Sequence, residues 1–170
     1  MRALAIIPII ALHTMGAAPV AGHSLIAFIG QFHPAVVHFP VALTVAAALA
    51  EALFLAFHRP TFEAAGRFLS ALAAPAAVFT VALGWSAEAS HEFPPEMMPF
   101  VERHEAMALT TAGLLIAALV SSELGRRGRP RLLLLYRILI FAAAGAVTAT
   151  GFFGGELVYG PGHYFWPWSK

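Results

Sequence analysis

Apolar residues run almost unbroken through four stretches of this chain, and polar residues collect in the short segments between them. The first stretch spans about Pro34 to Phe57 and is stopped by His58-Arg59-Pro60. The second starts near Thr61, a residue type that caps helix N-termini, and is continuously apolar from Phe68 to Trp85, with Pro75 as a mid-membrane kink point. The third runs from about Phe100 to Ser122, and the fourth follows Pro130 to Phe153, or to Tyr159 if Gly154 and Gly155 are helical. A hydrocarbon core needs about 20 helical residues, so each stretch is long enough to cross it. Short connections favour antiparallel neighbours. The predicted fold is therefore all-α, an integral-membrane four-helix bundle of up-down-up-down topology.

Composition removes the alternatives. Of 170 residues, 59% are hydrophobic and 11% charged, with a mean hydropathy of +0.77, which excludes a water-soluble domain and places the chain in a lipid bilayer. The net charge of +1 conceals a skew, because Asp is absent, the sole Lys is Lys170, and arginine carries the positive charge. Arg59 and Arg67 flank the first connection, while Arg126, Arg127, Arg129, Arg131 and Arg137 crowd the third. By the positive-inside rule both connections are cytoplasmic and the opposite ends of the helices face outward, in a bacterial cytoplasmic membrane. No basic surface interleaved with aromatic rings supports nucleic-acid binding.

Residues 1–22 read as a signal peptide, with Met1-Arg2 before the apolar run Ala3 to Leu12. If retained, this segment forms a fifth N-terminal helix. Residues 32–160 make the four-helix domain, and residues 161–170 an aromatic tail suited to the headgroup layer. No internal repeat stands out.

With no cysteine, disulfides, thiolate metal sites, iron–sulfur clusters and covalent haem are excluded. No lysine lies within a span to form a Schiff base. Histidines nevertheless gather at the outward helix ends: His33 and His38 open the first helix and His104 opens the third. Helices one and three are diagonal neighbours in such a bundle, with axes roughly 12 to 14 Å apart if adjacent axes lie 8 to 10 Å apart. His38 and His104 are thus expected to face one another as axial ligands of a non-covalent haem b, with the small residues Gly84, Gly154 and Gly155 leaving room for its edge. A metal site draws on the same end, where His33, His38, His104, Glu105 and Glu156 offer a shell for zinc or copper, and Met97 and Met98 add thioethers. A third alternative is a structural subunit whose histidines only pack helices. Glu51, about two turns from the inner end of an apolar helix, needs a partner, and Arg137 or Arg67 can supply it.

Phe32-His33-Pro34-Ala35-Val36-Val37-His38-Phe39-Pro40-Val41-Ala42-Leu43 resembles the F-H-P-x-x-V-H-F-P-x-A-L signature of an uncharacterised bacterial family of four-helix membrane domains of unknown function. Thr150 to Tyr159 is similar to the family's second signature, S-G-W-x-G-G-E-L-V-Y, and Arg103-His104 matches its R-H position. The resemblance covers about residues 32 to 160 and implies the fold without an activity. Some relatives carry the domain beside cytochrome c modules, which implies a cytochrome c or other respiratory subunit as partner. After Tyr159 the family commonly continues R-H-G-x-G, whereas this chain has Gly160-Pro161-Gly162-His163.

Overall fold

A computed structural model describes residues 25–164, so the expected signal peptide or fifth helix and all but the start of the aromatic tail lie outside the described residues. Within them the chain forms four long apolar spans and no strand. The first span is built from α1 (Leu25–Gly30), α2 (His33–Val36) and α3 (His38–Phe57). The others are α4 (Pro60–Glu88), α5 (Met98–Arg126) and α6 (Arg131–Tyr159).

Every span is longer than its apolar core, because a helix entering the headgroup layer keeps its internal hydrogen bonds when its side chains become polar. The first span differs, because Leu25–Gly30 is itself apolar and helical, so the span begins at Leu25, well before Pro34, and His33 lies inside it instead of at its mouth. It ends where His58 takes a left-handed conformation (φ 54°) and donates its N–H to the Phe54 carbonyl. Pro60 then starts α4, with its fixed φ and missing N–H suited to a first turn. Thr61 therefore lies inside the helix, and Arg59 occupies the cap position. Helix α4 runs through Pro75, and α6 through Gly154 and Gly155.

Neighbours follow chain order. Helix α3 packs on α4, α4 on α5, α5 on α6, and α6 returns to α3, closing an up-down-up-down bundle. Its centre is built from small side chains, with Ala47, Ala73, Ala118 and Ala143 fully buried around Leu115 and Ile140. Large residues such as Leu49, Phe79, Val120 and Ile138 point outward. Lipid tails are as apolar as leucine, so association in a bilayer relies on close backbone approach, which small residues permit.

The burial pattern occurs twice, once in each hairpin. Buried Ala47, Ala50 and Glu51 of α3 correspond to buried Ala118, Ser121 and Ser122 of α5. Buried Ser70, Ala73, Ala77 and Thr80 of α4 correspond to Ile140, Ala143, Val147 and Thr150 of α6. The first and second hairpins are thus structural repeats in the same orientation. The residue identities of the two hairpins differ, so the match shows in the buried positions and not in the sequence.

Candidate functional site

The repeat is sharpest at the histidine end. His33 in α2 donates from Nδ1 to the carbonyl of Thr80 on α4, at 3.1 Å. His104 in α5 donates from Nδ1 to the carbonyl of Thr150 on α6, at 2.9 Å. Acceptor and donor are separated by 47 and 46 residues respectively. A carbonyl can only accept, so Nδ1 carries the proton in both rings, and in the neutral imidazole Nε2 keeps its lone pair.

The carbonyls are reachable because each lies one turn before a glycine. A Cβ on Gly84 would sit 3.1 Å from His33 Cε1, and one on Gly154 would sit 3.0 Å from His104 Cε1. Each ring thus lies against a glycine on the helix that follows it. Gly84 and Gly154 make room for the imidazoles themselves, a different use from the cofactor edge expected of them. The hydroxyls of Thr80 and Thr150 bond back to Ala76 and Ala146 in their own helices, so these threonines satisfy their side chains locally.

The two rings meet across the bundle, with centroids 6.3 Å apart and planes at 88°. His33, not His38, is therefore the residue brought to His104. His38 is exposed and has no hydrogen bond or ring contact among the described residues. The early helix start accounts for the exchange, since it carries His33 to the depth at which His38 was expected.

The carboxylates of this end serve other partners. Glu105 accepts a 2.6 Å hydrogen bond from the Trp85 indole, and no hydrogen bond joins it to an imidazole among the described residues. Glu156 is 2% exposed and accepts the backbone N–H of Gly162, fixing the turn after α6. His163 stacks on Tyr159 at 4.6 Å. Among the described residues no group of three or more His, Asp or Glu side chains is gathered to hold a metal ion. The site's donor set is thus two imidazole nitrogens.

At the opposite end, Arg137 of α6 joins two carboxylates. Its Nε donates to Glu51 at 3.1 Å and its Nη2 to Glu63 of α4 at 3.1 Å, while its guanidinium lies 4.6 Å over the Phe54 ring. Of the two arginines that can serve Glu51, Arg137 does so, and Arg67 pairs with Glu63 at 3.5 Å.

A bundle of four apolar spans whose two hairpins each present one tethered imidazole defines a multi-pass membrane protein in which two histidine rings meet. The chain belongs to the DUF2231 family of predicted membrane proteins, whose model matches residues 31–164. That match takes in both hairpins and all residues of the histidine end. No curated protein and no solved structure matches the chain.

Sequence reasoning paired His104 with His38 for a haem, set His33 beside them only in the metal shell, and did not name Thr80 or Thr150. One signal was present. Thr80 precedes Gly84 as Thr150 precedes Gly154, one helical turn apart, with a histidine on the preceding helix in each case.

Proposed function

We propose that this chain is a membrane electron-transfer subunit that holds a non-covalent haem b between His33 and His104, on the outer side of the bacterial cytoplasmic membrane. The observation that carries this reading is the matched pair of Nδ1–carbonyl hydrogen bonds, which leaves two Nε2 atoms free across the bundle. A ligating histidine characteristically donates its other N–H to a fixed acceptor, which sets the tautomer and strengthens the donor nitrogen. Haem iron brings four equatorial nitrogens and asks the protein for two axial ones, the number available here. His33 and His104, whose ring centroids lie 6.3 Å apart, would be the residues to hold the iron. When bound, the haem would supply a one-electron couple, and the protein's part is to fix two ligands and keep the site among helices. The electron partner that the family resemblance implies is a cytochrome c or other respiratory subunit.

The same spacing favours one second reading, copper handling. Two opposed nitrogens satisfy a two-coordinate Cu(I) ion, whereas a structural zinc site needs four ligands.

Haem and metal analysis of protein purified from haem-replete cells, with electron paramagnetic resonance of the oxidised form, tests both. Near-perpendicular imidazole planes predict a strongly anisotropic low-spin ferric signal. Stoichiometric copper without haem would establish the second reading, and the lack of both would leave the histidines as packing residues. For orientation, a membrane-impermeant thiol reagent should label Glu92→Cys and not Arg127→Cys in intact spheroplasts. The reverse pattern would put the histidine end in the cytoplasm.

A further inference from the structure

We propose that Glu51 is a reversible proton-binding site, buried at the arginine end of the bundle. The site requires no cofactor and is independent of the haem reading.

The carboxyl of Glu51 is 0% exposed. Its Oε2 is held by Arg137, but its Oε1 is buried with no hydrogen-bond partner among the described residues. That oxygen lies against Gly66, where a Cβ would come within 2.6 Å of it, so the absence of a side chain at Gly66 is what admits the carboxyl. A buried carboxylate oxygen without a close hydrogen-bond partner is costly, and a proton relieves it in place, with the Tyr136 hydroxyl able to donate to the charged form.

The surroundings are built to tolerate the change. Protonating a simple ion pair would strand the arginine, yet Arg137 also donates to Glu63 through Nη2 and rests on the Phe54 ring. Loss of the Glu51 charge therefore leaves Arg137 with a carboxylate partner. The other groups facing the site are Arg67 and Ser70 on α4, and Tyr136 on α6, whose fully buried hydroxyl lies beside Glu51 and 3.5 Å from Ser70 Oγ. Tyr136 Oη has a lone pair to accept the new O–H of Glu51. Helix α5 contributes the uncharged buried Ser121 and Ser122 in this half, and its ion pair Glu123–Arg126 is exposed.

The arrangement also has no counterpart in the second hairpin. The position equivalent to Glu51 is Ser122, and the position equivalent to Gly66 is Tyr136. Glu51 thus sits in one hairpin and a neutral buried serine at the matching position of the other.

Infrared spectra of the full chain in lipid nanodiscs, recorded through a pH series, provide the test. The expected result is a protonated-carboxyl C=O band in the wild-type-minus-Glu51→Gln difference spectrum that appears and disappears reversibly with pH, the bands of the chain's other glutamates cancelling. Glu63→Gln removes the second partner of Arg137 and should abolish the band over the same pH range, with helicity retained by circular dichroism. No titrating band in that difference spectrum of the folded proteins would overturn the proposal. A band unchanged in Glu63→Gln would overturn the shared-arginine argument.

Discussion

The two ends of this bundle handle buried polarity in opposite ways. At the histidine end both hairpins make the same contact, an imidazole N–H on the carbonyl of a threonine one turn before a glycine. At the arginine end the repeat has broken. Arg67 and Arg137 occupy equivalent positions, but Arg137 alone bridges to Glu51, and Ser122 stands where a second Glu51 would be. The contact made once in each hairpin brings the two imidazoles together across the bundle. An ionic cluster present once serves either the seam between α3 and α6 or a chemistry of its own.

The strongest test of that contrast is at the arginine end. Arg137→Ala leaves Glu51 buried without its counter-charge, a change that typically costs about 3 to 5 kcal/mol. Thermal unfolding in detergent should show a large loss, mostly recovered in Glu51→Gln/Arg137→Ala. A double variant as unstable as the single one would mean that Arg137 acts through Phe54 and Glu63, not through Glu51.

A smaller effect is expected at the histidine end. Gly84→Ala and Gly154→Ala each drive a methyl toward an imidazole, and overpacking of this kind costs about 1 to 3 kcal/mol. Equivalence predicts similar losses of stability and of bound cofactor from the two variants. Loss from one alone would show that the hairpins do not contribute equally. Smallest of all, Trp85→Phe deletes an exposed hydrogen bond to Glu105 and should change stability by no more than about 1 kcal/mol, leaving both ends intact. A larger loss would make Glu105 part of the site.

Much of this was legible in the sequence, for identifiable reasons. Four apolar stretches longer than a bilayer core, separated by short connections, left one simple topology, and the structure has it. Glu51 announced its need for a partner because charge at that depth is expensive, and Arg137 was within reach on the right helix. The histidine pairing was harder. Leu25–Gly30 is an apolar run that belongs to the first span and was not counted with it, and it shifts His33 inward while His38 is exposed. The repeat was hidden for a related reason. Positions such as Ser70 and Ile140 share burial without sharing chemistry, and identity between residues is a poor measure of register.

The central claim is that His33 and His104, one from each repeat, form the functional pair. Reduced-minus-oxidised absorption spectra of purified wild type, His33→Ala, His104→Ala and His38→Ala, matched for folding by circular dichroism, test it most directly. The account predicts a sharp haem b difference band in wild type, lost in His33→Ala and in His104→Ala and retained in His38→Ala. A band retained in His33→Ala and lost in His38→Ala would contradict it.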